Sequence, residues 1–311
     1  ELYVTPEDAM AVIPKLASIY DEPFSDSSQI PTFLVSQLAR KHVTVSLSGD
    51  GGDELFMGYE PFQKLWLFNL INKFSAISKS VKYLSSLVPD SYEYMGITHK
   101  FKVFAKGLSS SKNHVNSRWI CSYLPEEIFN FISNKEFSSN QNLTEKYIYS
   151  YIENIINSIK SDDQYDQLTI QYQRHFLSNL ICNHTDKANM QYSIEARSPF
   201  LDPELFDLAN SFTKKIKLKN GTSKLILRKF LKINLNNNTH RTPKKGFTVP
   251  MAQWIKNELK DLILDTLSKD SISRVGFINY NYLYEKVILP HLKGESNNYK
   301  KIWSTFVLVS W

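Results

Sequence analysis

Two cysteines, Cys121 and Cys182, are all that the 311 residues contain, and no Cys-x-x-Cys pair joins them. That excludes a disulfide framework and a thiolate zinc site, and a reducing cytoplasm is the expected setting. Glycine (10) and proline (12) are scarce, which excludes collagen-like and low-complexity chains. No stretch approaches the roughly 18 unbroken apolar residues of a membrane span. His-Glu-x-x-His, nucleophile-elbow and Walker A patterns are all missing, so the corresponding hydrolase and P-loop readings fall away. His175, His184 and His240 lack metal-ligand spacing and read as core or surface residues. The first residue is Glu1, with no basic segment and apolar core after it, so no signal peptide is expected. The chain reads as a piece of a longer gene product.

What is present is a large apolar fraction, 42% hydrophobic with 13% aromatic, enough for a sizeable core. Bases outnumber acids, 37 to 31, for a net charge of +6. Their distribution is uneven. Residues 1–60 carry Glu1, Glu7, Asp8, Asp21, Glu22, Asp26, Asp50, Asp53, Glu54 and Glu60 against Lys15, Arg40 and Lys41, whereas residues 208–257 carry twelve bases and no acid. An acidic part facing a basic part suits an anionic substrate held between metal-binding carboxylates and lysines. The competing reading is a solvated basic face. A nucleic-acid binder is disfavoured because aromatic and basic residues are not interleaved on a short repeat.

Thr5-Pro6-Glu7-Asp8 predicts a helix start with Thr5 as N-cap. A second helix is expected from about Pro31 to Lys41, followed by a short buried strand over Val43-Thr44-Val45-Ser46-Leu47 that ends abruptly at Ser48-Gly49-Asp50-Gly51-Gly52. Helix, strand, glycine loop, helix is one turn of an α/β sheet. From there to about residue 190 the sequence reads as successive helices. Leu124-Pro125-Glu126-Glu127 opens one, and Tyr147, Ile148, Tyr151, Ile152, Ile155 and Ile159 mark the apolar face of another. Ile302 to Trp311 is expected as a buried terminal helix. No repeat or long linker forces a boundary, so residues 1–311 read as a single domain.

Three segments could carry chemistry. In Ser48-Gly49-Asp50-Gly51-Gly52-Asp53-Glu54-Leu55-Phe56, glycines let the backbone approach a ligand closely, and three carboxylates within five residues call for a cation or a solvated loop. At the carboxyl end of a strand this is where α/β proteins bind nucleotides; the alternative is an exposed turn capped by Asp53. Residues 186–202 offer a Glu195–Arg197 ion pair and Asp202 as a helix N-cap ahead of Pro203. In Arg241-Thr242-Pro243-Lys244-Lys245-Gly246-Phe247, a lysine in a Pro/Gly-bounded loop could reach a phosphate as a point charge.

Taken together and in this order, these segments resemble the C-terminal synthetase domain of the glutamine-hydrolysing asparagine synthases. Asp21-Glu22-Pro23-Phe24, Ile30-Pro31, the Leu47–Phe56 loop with Gly58-Tyr59, Asp186 to Asp202, Lys244-Lys245-Gly246-Phe247, Pro250, Trp254, Trp303 and Trp311 carry the resemblance. It implies an α/β, predominantly helical fold: a partial adenine nucleotide alpha hydrolase-like (PP-loop ATPase) domain whose parallel sheet is incomplete here.

It further implies a ligase that uses ATP and Mg²⁺ to adenylate a carboxylate, with aspartate the leading choice. Ammonia from glutamine, released in a separate N-terminal glutaminase domain, then displaces AMP. Ser48 and Gly49 match the pair whose backbone contacts the adenylate. Asp50 matches the acidic position implicated in adenylate formation or in deprotonating ammonia. Asp53 matches a Mg²⁺ ligand, and Lys244 matches the lysine that neutralises the phosphates. The family's Ser-Gly-Gly-x-Asp-Ser loop and glutaminase domain are not found in these residues, so the isolated piece is expected to be inactive. The resemblance leaves open a homo-oligomer, a relative acting on a sugar uronic acid, peptide or β-lactam precursor, and a non-catalytic scaffold. It assigns no role to Glu54, Glu195 or Arg197, and it implies neither nucleic acid nor membrane as a partner.

Overall fold

A computed structural model describes residues 3–93, 96–133, 141–235 and 246–311, with backbone alone for 141–145. Helices dominate it. The first, Pro6–Val12, starts where the sequence places it: Thr5 Oγ1 accepts from the Asp8 N–H at 3.2 Å, and Asp8 Oδ2 accepts from the Thr5 N–H at 3.0 Å. Each bond satisfies a donor that the first helical turn leaves without an intrahelical partner. Asp202 does the same for the helix Pro203–Ser211, accepting from the N–H groups of Glu204 and Leu205. Among the described residues no helix is long and apolar enough to cross a membrane.

The chain divides into two compact units. The first comprises Glu1–Val35, Ser75–Tyr151 and Thr248–Trp311. Its C-terminal helix, Tyr299–Ser310, buries Ile302, Trp303, Phe306 and Val307. Leu124 precedes the helix Pro125–Phe131, as predicted.

The second unit comprises Ser36–Phe74 and Ile152–Phe247. It holds two strands, β1 (Val45–Leu47) and β2 (Glu195–Arg197), paired in parallel with Val45 opposite Glu195 and Leu47 opposite Arg197. A fold that is mostly helical, with a small parallel sheet, agrees with the α/β expectation. Following the glycine loop, Leu55 and Phe56 form a buried cluster with Ala209, against which Phe200, Phe206, Ile226 and Leu227 pack from the neighbourhood of the helices Pro203–Ser211 and Leu225–Asn234.

Three expectations are corrected. The strand begins at Val45 rather than Val43, and it is not buried: Val45 is 42% and Leu47 75% exposed. β-Branching selects the extended backbone, but burial needs a covering layer. The apolar face of the helix Gln141–Asn157 is turned from the predicted one. Tyr149, Ile152, Ile155 and Ile156 are buried while Tyr147 and Tyr151 are exposed, and Ile159 lies past the helix end. Tyrosine rings fit a half-wet surface as well as a core, so they do not fix the inward direction. The terminal helix starts at Tyr299, and Trp311 is exposed beyond it.

Candidate functional site

The glycine loop leaves the carboxyl end of β1, fastened by the Ser48 N–H donating to the Arg197 carbonyl at 2.8 Å. Ser48 Oγ then donates to Asp50 Oδ2 at 3.0 Å. Ser198 Oγ donates to the Asp50 carbonyl. Both strands therefore hold the loop. Gly51 has φ +86°, the left-handed region that costs an L side chain, and a Cβ there would run into Leu201. The chain then makes a single helical turn, Gly52–Leu55, with the Leu55 N–H donating to the Gly51 carbonyl at 2.9 Å.

Asp53, on that turn, is ion-paired with Lys224 at 2.9 Å. Lys224 stands at the start of the helix Leu225–Asn234 in a left-handed conformation, φ 53° and ψ 34°, which costs a non-glycine residue roughly 1–2 kcal/mol. Its N–H donates to the Phe56 carbonyl at 3.1 Å, which fixes the strained residue against the turn after Asp53. Gly58 closes the arrangement: its N–H donates to the Asp53 carbonyl at 2.8 Å, and a Cβ there would collide with the Asp53 carboxylate and Lys224 Cε. Backbone strain held by several contacts is a mark of functional sites.

Glu54 points the other way, into the interior. It is 2% exposed, and Tyr59 Oη donates to it. Burial raises its pKa above the usual carboxylate range against the lowering effect of the Tyr59 bond, and the Asp53 and Asp50 charges raise it further. Tyr59 stacks on Tyr172 with ring centroids 4.5 Å apart and meets the edge of Phe176. Burial and the Glu54 charge both push its phenol up. Cys182, on the same helical stretch as Tyr172, is a free thiol raised by burial, with Asp50 and Glu54 adding to the shift.

Ser48, Gly49, Asp50 and Asp53 thus share one loop at a strand end. Lys244, and His240 with it, lie outside the described residues. Glu195 and Arg197 form the predicted ion pair at 2.8 Å on the exposed surface of β2. Burial lowers the His175 pKa, and His184 is buried. Sequence reading missed Lys224 and the Glu54–Tyr59 pair. Lys224 was one base among twelve in an acid-free stretch; the Asn220-Gly221 turn immediately ahead of an apolar helical run was the available signal.

A glycine loop at the carboxyl end of a parallel strand is where α/β proteins commonly bind their ligands, and here a carboxylate–lysine pair stands beside it. The asparagine synthase family profile matches residues 1–311, and the chain belongs to that family. "Asparagine synthetase [glutamine-hydrolyzing] 1" of Bacillus subtilis is 27% identical over 314 residues, which cover 99% of this chain and 46% of the relative. A Mycobacterium tuberculosis protein is 26% identical over 313 residues, covering 99% of this chain and 45% of its own length. "Amidase chyE" of Penicillium rubens is 24% identical over 276 residues, covering 79% of this chain and 38% of its own. The chain spans less than half the length of these relatives.

Proposed function

We propose that residues 1–311 form the C-terminal part of a synthetase domain of PP-loop type, in a cytoplasmic ATP-dependent ligase that makes an amide from a carboxylate, aspartate first among them. In the reaction a substrate carboxylate oxygen attacks the α-phosphorus of ATP and expels pyrophosphate. Ammonia, drawn from glutamine in the parent protein, then attacks the acyl carbon and expels AMP. The Asp53–Lys224 pair beside the glycine loop is the observation that carries this reading, because adenylation concentrates negative charge on the leaving pyrophosphate.

The roles follow from position. Ser48 and Gly49 lie where backbone can approach the adenylate. Asp50, braced through Ser48 and Ser198, is the acidic group for adenylate formation or for taking the ammonia proton. Among the described residues no group of three His, Cys, Asp or Glu side chains could enclose a metal. Asp53 alone fits Mg²⁺, a hard cation commonly held by one or two carboxylates and the substrate's own phosphates. Bound there, it would neutralise pyrophosphate charge. Lys224, and Lys244 by its motif, add cations for the same charge.

The test is pyrophosphate release by the whole parent protein with ATP, Mg²⁺, ammonium and a panel of carboxylates. Release that depends on aspartate supports the reading. A folded protein that releases none with any carboxylate overturns it. Similarity to "Amidase chyE" favours a second reading, that the same site serves a different carboxylate, and a uronic acid, a peptide and a β-amino acid in the panel separate the two.

A further inference from the structure

Glu54 sits where an apolar side chain would cost less. It is 2% exposed, and taking a carboxylate out of water is more expensive than burying an uncharged group of similar size. Its partner is a phenol, Tyr59 Oη, which donates to Glu54 Oε1. Tyr59 is in turn held on two sides, stacked on Tyr172 at 4.5 Å and meeting the edge of Phe176 at 5.3 Å. Tyr172 also packs against the buried Phe62, with ring centroids 5.4 Å apart. Tyr172 and Phe176 come from the π-helical stretch Tyr172–Cys182, a rare winding that often marks functional sites.

What this anchor holds is short. Gly52–Leu55 is one helical turn, too short to keep its conformation unaided. Left-handed residues bracket it, Gly51 at φ +86° and Met57 at φ 54°, the second at a cost to a residue with a side chain. Asp53 and Glu54 are consecutive on that turn, so the rotation that seats Glu54 also sets the direction of Asp53. The helix that follows Tyr59, Glu60–Asn72, reaches the other half of the ion pair as well: Gln63 Nε2 donates at 3.1 Å to Ser223 Oγ, next to Lys224. Tyr59 and its helix thus steady a neighbour of each partner in the Asp53–Lys224 pair.

We propose that Glu54 and Tyr59 are positioning residues, which align Asp53 with Lys224 for the pyrophosphate that leaves during adenylation. The reaction they serve rests on the ligase reading above; the anchoring is a property of this chain alone. Both act through Asp53 rather than on the substrate. Their contribution is geometric, because a displacement of roughly 1 Å in a stabilising group can cost about a hundredfold in rate.

The test compares three variants of the whole parent protein: Tyr59→Phe, which deletes the donor and keeps the stack, Glu54→Ala, and Glu54→Gln, which keeps an oxygen for the phenol. In pyrophosphate release, kcat is expected to fall about tenfold in Tyr59→Phe and about a hundredfold in Glu54→Ala. KM for the carboxylate should stay at its wild-type value, and Glu54→Gln should recover most of kcat. Amide hydrogen exchange, measured without metal or nucleotide, is expected to quicken over residues 52–58 in the first two variants and to keep its wild-type rate over the helix Pro203–Ser211. Unchanged kcat and exchange in both, with an active wild type, overturn the positioning role and leave the ligase reading standing. Exchange that quickens equally everywhere also overturns it, by making the pair a general support of the fold. A wild type that releases no pyrophosphate with any carboxylate defeats the ligase reading instead, and the exchange pattern then decides the anchor by itself.

Discussion

At the residue scale, Asp53 and His291 show how one side chain can be read two ways. In the proposed reaction Asp53→Asn keeps shape and removes charge, so pyrophosphate release by the parent protein should fall by about a hundredfold, on the order of 3 kcal/mol, as for loss of one preorganised stabilising group. Melting should change little in the same samples; a collapsed melting temperature with intact pyrophosphate release would make Asp53 structural. His291 is fully buried, accepting at Nδ1 from the Asn298 N–H at 3.2 Å, with Nε2 3.1 Å from the Ala252 carbonyl. Those contacts fix the neutral form protonated at Nε2, and burial lowers the pKa from 6.5 to about 4. Between those values the unfolded chain binds the extra proton, so stability is complete above 6.5 and lost as pH falls toward 4, by on the order of 3 kcal/mol. Denaturant melts of His291→Gln should show a flatter acid slope than wild type; parallel slopes would refute the assignment.

At the element scale, caps and turns were legible and faces were not. Thr5, Pro6 and Asp202 announce helix starts because an N-cap is a local event, settled by a side chain and the N–H groups two or three residues on. Asp202→Ala should therefore cost about 1 kcal/mol, measured as a lower urea midpoint with an unchanged slope; a change below a few tenths would mean Pro203 alone sets that start. The glycine loop was equally plain as a strand end, since Gly49, Gly51 and Gly52 after a β-branched run break the extended chain. Lys224 was not, because the Asn220-Gly221 turn marks only the approach of a helix, while the lysine's role is set by the Phe56 carbonyl and Asp53, far away in sequence. The exposed side of β1 escaped for the same reason: alternation of side chains is local, and what covers them is not.

At the scale of the whole molecule, several large apolar side chains face solvent. Leu47 on β1, Leu84 and Leu87 on Ser75–Leu87, and Ile233 on Leu225–Asn234 are each more than half exposed. Apolar strand surface invites association. Leu47→Thr is expected to lower binding of a hydrophobic dye and to reduce self-association on size-exclusion chromatography, with stability changed by no more than about 0.5 kcal/mol. Unaltered dye binding would show that the β1 surface is not where the dye adheres.

The hydrogen bond from Ser198 to the Asp50 carbonyl joins residues 148 positions apart, and the parallel register closes a loop of similar length. Closure of that kind is entropically expensive and comes late, after local helices have formed. The acidic loop is thus among the last parts of the molecule to take shape on the way to the native state. Its contacts should be absent from the folding barrier, so that weakening them, as in Ser198→Ala, accelerates unfolding and leaves the refolding rate nearly untouched.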